Sequence, residues 1–540
     1  MSKFLFVFLF LFLGGTLFSQ NPSLDVEHYR FMLSLSDSTD QIQGEAQITF
    51  TSKVKTDQVY FDLVSPKEKE TKGMMVLSVT QKGKNLSFTQ KSDRVYLYFQ
   101  KELPADQKET VVIKYQGIPA DGLIIDQNKF GKRTFFTDNW PERARHWLPT
   151  NDHPSDKASV EFIVEAPAHY QVVGNGLRQS EISLPEGRRQ THWSMQQKIP
   201  TKVMAIGVAD FAVKRDTLIE QIPIETWVFT DNQTQGFAQY AIGRPILPFL
   251  TRYIAAFPFR KLANVQSKTR FGGMENASNI FYFENSVKVD PPVSTSERIK
   301  LEALMAHEMA HQWFGNMVSE SDWEHLWLSE GFATYMTDLY LEHSHGTDFI
   351  KERLQTERKQ ALDFSRDVQH PVVDTLGKEN LMGLLNPNSY QKGAWVLHML
   401  RQRLGDAVFK QCIQAFYQRY KGENATTADF EQLCQEVSGA DLRTFFRQWL
   451  HLAQHPVLAV SWHYDPTRKQ VELQIEQKQQ EAFEFPLEIA FSDGQMNTTK
   501  QLEIREQQEG FTIPLPYRPQ SVQLDPQVKV FFEVSALQEK

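Results

Sequence analysis

The sequence predicts a multidomain α+β protein with three regions of different character. Residues 21–215 contain short segments rich in β-branched and aromatic residues, separated by turns that contain glycine or asparagine. Residues 216–450 begin with strand-like segments and then show mainly helical periodicity, whereas residues 453–540 return to alternating apolar and polar positions. We therefore expect an N-terminal β domain, a mixed α/β domain and a C-terminal β-sandwich.

The composition is typical of a soluble globular protein and gives no sign of nucleic-acid binding. The chain has 540 residues, of which 41% are hydrophobic and 23% are charged, and this length fits about three or four domains. Its formal net charge is −8, so there is no surplus of lysine and arginine to neutralise phosphate groups. We expect no nucleic-acid partner.

The N-terminal segment, residues 1–20, is predicted to be a secretory signal peptide. Lys3 supplies a positive charge before an unbroken apolar run at residues 4–13, and small residues near Ser19 offer a cleavage site. The apolar run is shorter than the roughly 20 residues that span a bilayer as a helix. We predict export to the periplasm or the extracellular space, with no transmembrane segment in the mature chain.

A metal-binding pattern lies in the middle region. His307, Glu308 and His311 form H-E-x-x-H, a pattern expected about 0.05 times by chance in this composition. Residues four apart share one face of a helix, so both imidazoles can bind one metal ion. Glu330, with 18 residues between it and His311, is the candidate third ligand of one Zn²⁺ per chain. Thr334, one helical turn later, is a candidate hydrogen-bond partner for a ligand histidine.

Two cysteines lie in neighbouring segments with helical patterns. Cys412 lies in residues 407–420, and Cys434 lies in residues 427–437. Their positions along the two helices place them level with each other. They either form a disulfide, which an exported location permits, or are two small buried apolar residues.

Several motifs together make the chain resemble the membrane alanyl aminopeptidase family of zinc peptidases, in the gluzincin clan. Residues 307–318 read H-E-M-A-H-Q-W-F-G-N-M-V, and residues 323–335 read W-E-H-L-W-L-S-E-G-F-A-T-Y. Residues 272–276 match the family's G-x-M-E-N motif, residues 390–394 match Y-x-K-G-A, and residues 144–158 match an N-terminal segment. The resemblance implies an N-terminal β saddle or sandwich, a thermolysin-like α/β catalytic domain and a C-terminal β-sandwich.

The resemblance also implies catalytic roles. His307, His311 and Glu330 would bind zinc, which polarises the scissile carbonyl and lowers the pKa of water. Glu308 would take a proton from that water and pass it to the leaving amine. Tyr390 would donate a hydrogen bond to the oxyanion of the tetrahedral intermediate.

The G-x-M-E-N segment is implied to bind the substrate's N-terminus. Glu275 would hold the free α-ammonium group through a charge-assisted hydrogen bond. Gly272 and Gly273 favour close approach of a substrate strand, and Met274 lies in the same substrate-binding segment. Phe271 is expected to wall the first side-chain pocket and to favour small or medium apolar residues.

The chain departs from the family at a second amine anchor. The family places an acidic or amide residue five positions before the arginine that corresponds to Arg145, and that position is Trp140 here. Asp138 or Asn139 would replace the anchor, the indole face would contact the ammonium through a cation–π interaction, or Glu275 would act largely alone.

These observations predict a zinc-dependent aminopeptidase that hydrolyses the N-terminal peptide bond of peptides outside the cytoplasm. One alternative is another zinc hydrolase, either an endopeptidase or an epoxide hydrolase like the leukotriene-processing relative. Glu275 favours exopeptidase action over endopeptidase action. A second alternative is a catalytically silent binding protein on a peptidase fold, which the intact set of ligands and catalytic residues argues against. The sequence leaves open the preferred N-terminal residue, the physiological substrate and the oligomeric state.

Overall fold

Three successive regions of the chain differ in secondary structure as the sequence predicts. The computed structural model describes residues 21, 23–67, 71–215, 221–288 and 294–540. A region of strands comes first, a region of helices around a five-stranded sheet follows, and a second region of strands comes last. This order confirms the predicted multidomain α+β fold class. The predicted signal peptide, residues 1–20, lies outside the described residues.

The N-terminal domain is a layered arrangement of β-sheets. Its described strands are β1 (Leu24–Ser34), β2 (Ile42–Ser52), β3 (Thr56–Asp62), β4 (Gly73–Gln81), β5 (Lys84–Asn85), β6 (Ser87–Lys91), β7 (Arg94–Leu103), β8 (Gln107–Ile118), β9 (Leu123–Gln127), β10 (Arg133–Thr137), β11 (Lys157–Pro167), β12 (Gln171–Gly174), β13 (Leu177–Leu184), β14 (Arg188–Pro200) and β15 (Ile206–Ala209). The largest sheet has the order β13-β14-β11-β1-β2-β8-β4-β5, and two smaller sheets have the orders β12-β15-β10-β9 and β3-β7-β6. Burial alternates along β2, since successive side chains point to opposite faces.

The boundary after the N-terminal domain differs from the predicted one at residue 215. Strand β16 (Phe211–Arg215) pairs antiparallel with β17 (Ile224–Phe229) and is the first strand of the central five-stranded sheet. The sequence predicts mainly strands for residues 21–215, which include this segment. It does not identify the partner strand, because pairing depends on the tertiary arrangement.

The central domain packs helices on the sheet β16-β17-β18-β20-β19. Its further strands are β18 (Leu262–Ser267), β19 (Gly273–Met274), β20 (Asn279–Phe283), β21 (Ser319–Glu320) and β22 (Asn424–Ala425). Its helices are α1 (Gln233–Tyr240), α2 (Ile246–Tyr253), α3 (Thr295–Ala310), α4 (Trp327–His345), α5 (Thr347–Asp367), α6 (Gly393–Leu404), α7 (Asp406–Tyr420), α8 (Thr427–Ser438) and α9 (Arg443–Phe446). A capping box between Ser294 and Glu297 starts α3, because each residue bonds the other's free backbone N–H.

Buried lysines fasten the N-terminal domain to the central domain beside α3. Nζ of Lys157 donates to the carbonyl oxygens of Met317 and Glu423, at 2.8 and 2.9 Å. Lys202 forms a buried ion pair with Glu320. Each buried charged group has lost its hydration, and a shift between the domains would leave it without a partner. These contacts therefore fix one relative position of the two domains.

The C-terminal domain consists of two β-sheets, one antiparallel and one mixed. Its strands are β23 (Val457–Asp465), β24 (Gln470–Gln477), β25 (Phe485–Ser492), β26 (Asn497–Ile504), β27 (Gln508–Pro514), β28 (Ser521–Leu524) and β29 (Glu533–Glu539). One sheet has the order β27-β24-β23-β29, in which β29 runs parallel to β23, and the other has the order β26-β25-β28. Alternate residues of β23, β24 and β25 are buried, as expected for a sandwich core.

Both cysteines lie in the core of the helical region. Cys412 on α7 and Cys434 on α8 are buried and carry free thiols in this structure.

Among the described residues, no helix is long and apolar enough to cross a membrane.

Candidate active site

Two helices bring the three predicted metal ligands together. Helix α3 carries His307 in its last turn and is followed directly by His311, and Glu330 lies in the first turn of α4. The two Nε2 atoms are 3.1 Å apart, and each lies 3.2 Å from Oε2 of Glu330. The predicted ligands therefore form a triangle with nearly equal sides.

The triangle is only slightly smaller than the one that a tetrahedral metal ion requires. Ligand atoms 2.0–2.2 Å from zinc, at tetrahedral angles, are about 3.3–3.6 Å apart. Although burial disfavours the charged form of His311, the carboxylates of Glu330 and Glu275 raise its pKa to about 9. Burial opposes ionisation of Glu330 as well, but the two histidines hold its pKa well below the ordinary value. The residues present therefore fit a divalent cation.

The partners of His311 set its tautomer. Nδ1 of His311 lies 3.1 Å from the carbonyl oxygen of Phe314 and 3.1 Å from Oγ of Ser329. A carbonyl only accepts, so Nδ1 carries a proton, and Nε2 is the nitrogen that would bind a metal in place of its own proton. Gly315 makes this arrangement possible, because a Cβ at this position would lie 2.4 Å from Oγ of Ser329.

The expectation for Thr334 is corrected by this geometry. Ser329 makes the contact that was expected of Thr334, and no hydrogen bond joins Thr334 to His307 or His311 in the described chain. Thr334 lies four residues after Glu330 on α4, a rise of about 6 Å along the helix. Ser329 directly precedes Glu330, and its Oγ contacts Nδ1 of His311.

Glu275 lies on the opposite wall of the same cleft. It directly follows β19, the edge strand of the central sheet, whose residues Gly273 and Met274 pair with Tyr282 and Phe281. The Glu275 carbonyl accepts hydrogen bonds from Nε2 of Gln312 at 2.9 Å and from Nδ2 of Asn316 at 2.6 Å. Its backbone is therefore held by the segment that follows the metal helix.

The side chain of Glu275 is buried and only partly compensated. Its Oε1 atom has no hydrogen-bond partner within the described part of the chain. Burial raises the pKa of Glu275, because the carboxylate loses hydration, and the charges of His311 and Lys202 offset this loss only in part. Ligand atoms of Glu275, Glu308 and His311 lie within 4.8 Å of one another. The cleft therefore holds an acidic group that can accept a donor from a ligand.

The two glycines before Glu275 differ in how closely other groups surround them. A Cβ on Gly273 would lie 2.3 Å from Oε1 of Glu308, so a larger residue here would displace the Glu308 carboxyl group. A Cβ on Gly272 would meet only Leu304, at an ordinary 3.7 Å. Gly273 thus makes room for the Glu308 carboxyl group, and Gly272 is not forced by crowding. Burial raises the pKa of Glu308 well above its ordinary value.

Tyr390 reaches the site through a π-helical turn before α6, formed by Asn388–Lys392. Its ring stacks on the His307 ring, with centroids 5.8 Å apart and planes 13° apart. Gly331 allows this approach, because a Cβ there would lie 3.0 Å from the backbone of Gly393. Burial raises the pKa of Tyr390 well above its ordinary value, so the phenol keeps its proton and remains a donor.

An aromatic and apolar wall completes the cleft. The cleft is lined by the three ligands, Glu308, Glu275, Tyr390, Gly273, Met274, Phe271, Trp140 and Leu385. Trp140 stands edge-on to Phe271 and to Trp323, with ring centroids 6.2 and 5.5 Å apart. Leu385 is the lining residue that sequence reasoning missed, since it lies in a loop with no family motif.

Neither polar neighbour of Trp140 replaces the amine anchor. Asp138 accepts hydrogen bonds from Arg143 and from the backbone N–H of Arg270. Asn139 donates to the carbonyl oxygens of Thr201 and Met204, at 3.1 and 2.9 Å. Both side chains are buried, do not line the cleft and are already used in hydrogen bonds within the protein. Trp140 itself occupies that side of the cleft.

Comparison with known proteins agrees with this site. Residues 25–203 match the Peptidase M1 N-terminal domain, and residues 240–449 match the Peptidase family M1 domain. The second match contains all three candidate ligands together with Glu275, Glu308 and Tyr390. Both matches occur in the order that the resemblance implied.

Individual relatives carry aminopeptidase names. Probable aminopeptidase 2 of Sulfurisphaera tokodaii is 25% identical over 422 residues, which cover 75% of this chain and 52% of the relative. Glutamyl aminopeptidase of Sus scrofa is 28% identical over 332 residues, covering 60% and 35%. Aminopeptidase N of Oryctolagus cuniculus is 27% identical over 400 residues, covering 68% and 41%. The chain thus spans about half the length of these relatives or less. It belongs to peptidase family M1, the family of the membrane alanyl aminopeptidases.

Proposed function

We propose that this chain is a zinc-dependent aminopeptidase that removes N-terminal residues from peptides with a free α-amine. The observation that carries the proposal is the buried Oε1 atom of Glu275, which has no partner among the described residues and lies in the cleft of the metal triad. An unpaired buried acceptor costs about 1–3 kcal/mol, and more when it is charged. A substrate ammonium would remove this penalty through a charge-assisted hydrogen bond.

The metal in this proposal is zinc, held by His307, His311 and Glu330. Two imidazoles and one carboxylate form the donor set that zinc prefers in catalytic sites, and their spacing supports the assignment. Bound zinc would supply Lewis-acid polarisation of a carbonyl and a lower pKa for water.

Glu308 is the proton carrier of the proposed reaction. Its carboxyl group lies beside Gly273 and near His311, between the metal triad and the substrate-binding strand. Burial raises its pKa, so it can hold a proton taken from water and release it to the leaving amine.

Tyr390 is the oxyanion donor in the same proposal. It keeps its phenolic proton, and its ring lies parallel to the ring of His307. A phenol O–H in this position can donate to the oxygen that becomes negative in the transition state.

The edge strand β19 explains how a substrate would be aligned. Its outer edge pairs with no other strand in the part of the chain that the structure describes, so an extended peptide can add to it through backbone hydrogen bonds. With the ammonium bound at Glu275, the first peptide bond comes to the catalytic groups. This arrangement favours removal of one residue at a time over internal cleavage.

The proposal places the reaction outside the cytoplasm. The support is the apolar run at residues 4–13 after Lys3. Mass spectrometry of the protein from its source cells tests this assignment. A mature N-terminus near residue 20 in an exported fraction is expected, and an intact Met1 on protein confined to the cytoplasm would contradict export.

Hydrolysis of a panel of aminoacyl chromogenic amides tests the activity. Each amide is offered with a free and with an acetylated α-amine, with and without a chelator, to the wild-type protein and to Glu308→Gln. We expect cleavage of free-amine substrates only, abolished by the chelator and reduced about 10²–10⁴-fold in Glu308→Gln. Equal cleavage of acetylated substrates would instead indicate an endopeptidase, and no cleavage by zinc-loaded protein would indicate a silent binding protein.

A further inference from the structure

One loop beside the cleft exposes large apolar side chains although it has a small core of its own. We call residues 374–386 the rim loop. Leu376 is 73% exposed and Met382 is 46% exposed, whereas Leu384 of the same loop is only 3% exposed. A Cβ on Gly377 would lie 2.2 Å from Cδ2 of Leu384, so Leu384 packs tightly under Gly377. The loop therefore buries one leucine while it presents two other apolar residues to solvent.

Hydrogen bonds hold Leu376 in its exposed position. Oδ1 of Asp374 accepts from the backbone N–H groups of Leu376 and Gly377, at 2.9 and 3.2 Å. The other carboxylate oxygen of Asp374 lies 2.7 Å from Nδ1 of His370. A residue whose backbone is fixed in this way loses little backbone conformational freedom when a ligand covers its side chain.

The rim loop adjoins the active-site cleft. Leu385, near its C-terminal end, lines the cleft. Its turn Gly377–Glu379 contacts the turn Trp323–His325, and Trp323 stands edge-on to the cleft residue Trp140. The loop that carries the exposed side chains thus borders the cleft.

We propose that the rim loop binds apolar side chains of the peptide substrate beyond the bond that is cleaved. This inference rests on the proposed function and specifies its substrate class: peptides with a free N-terminus and apolar second and third residues. The occupant is a peptide because the loop continues a cleft whose edge strand accepts an extended chain.

Binding to zinc-loaded Glu308→Gln protein tests the proposal without turnover. Isothermal titration calorimetry compares the tetrapeptides Ala-Leu-Leu-Ala and Ala-Ser-Ser-Ala, with and without the additional substitutions Leu376→Ser and Met382→Ser. We expect the double substitution to raise the Kd of the leucine peptide about tenfold, the size expected when a large apolar side chain loses its buried contact. The Kd of the serine peptide should change less than twofold.

Met496→Ser is the matched control, since Met496 is a 47% exposed methionine of the C-terminal domain. It should leave the ratio of the two Kd values unchanged. A double substitution that leaves the leucine peptide's Kd within twofold, or that weakens both peptides equally, would overturn the proposal. So would a failure of either peptide to bind.

The amide panel distinguishes this proposal from the proposed function. Wild-type protein that cleaves free-amine amides but binds the leucine and serine peptides equally would retain the aminopeptidase function and refute the rim-loop proposal. Leucine-dependent binding that is lost in the double variant, without any amide cleavage, would support the rim loop and refute the aminopeptidase.

Discussion

The two walls of the cleft treat buried charge in opposite ways. On the metal wall, His307, His311 and Glu330 contact one another at 3.1–3.2 Å, and their charges compensate within the protein. On the amine wall, hydrogen bonds hold Glu275 through its backbone carbonyl, Oε1 has no partner in the described structure, and His311 offsets the charge only in part. The first wall is complete for a metal ion, whereas the second retains an acceptor for a cation from outside.

This difference separates stability from recognition. A buried cluster of charges that compensate one another costs the folded state little free energy. A buried carboxylate that is only partly compensated destabilises the folded state. Proteins retain such a destabilising group where function requires it. The amine wall is therefore the part of the site that should become more stable when its function is removed.

The largest effect is expected from breaking the metal wall. His311→Ala removes one ligand and leaves the buried Glu330 without its main counter-charge. Zinc content, measured by atomic absorption, should fall from about one per chain to near zero. The rate of cleavage of free-amine amides should fall by more than about a hundredfold. That factor is the largest loss expected when only a hydrogen-bond partner of a metal ligand is removed.

His463→Ala provides the control, since His463 is an exposed histidine of the C-terminal domain. It should keep both zinc and activity. A His311→Ala protein that retained stoichiometric zinc would show that the triangle of ligand atoms is not the metal site.

A substitution on the amine wall is expected to stabilise the folded protein. Glu275→Gln removes the charge whose burial raises the pKa of this residue, so the metal-free protein should become more stable by about 1 kcal/mol. Chemical denaturation at neutral pH measures the change. Glu472→Gln, at an exposed position of β24, should change stability by much less. A clear loss of stability in Glu275→Gln would mean that the carboxylate is compensated in the folded protein.

The smallest effect is expected from removing a hydrogen-bond partner of a metal ligand. Ser329→Ala removes one of two contacts to Nδ1 of His311, while the carbonyl of Phe314 remains. Zinc affinity should fall about tenfold, at the low end of the range for such partners. Competition with a fluorescent chelator measures it. Thr334→Val should leave the affinity unchanged, and the reverse order of effects would restore the role expected of Thr334 from the sequence.

The sequence predicted the parts of this site that depend on local spacing. His307 and His311 lie on one helical face because four residues make about one turn. Glu275 and Tyr390 were found through motifs of a family resemblance, and both line the cleft. The contrast between the two walls was not predictable, because hydrogen-bond partners of Glu275 come from a segment about 40 residues further along the chain.

Contacts between distant segments account for the other differences. Phe211–Arg215 lies in the region predicted to be mainly strands, but its partner lies in the central sheet. Gly273 was expected to admit the substrate, and it also makes room for the carboxyl group of Glu308. The rim loop carries no motif, so only its exposed leucine and methionine, seen in three dimensions, draw attention to it.

One measurement tests most directly whether Glu275 is reserved for the substrate ammonium. A pair of hydroxamates with the same side chain, one with and one without an α-amine, is titrated into zinc-loaded wild-type and Glu275→Gln proteins. Loss of the amine should weaken binding about a hundredfold in the wild type, as a charge-assisted hydrogen bond predicts, and less than threefold in Glu275→Gln. An equal loss in both proteins would contradict this account, because the amine would then bind elsewhere.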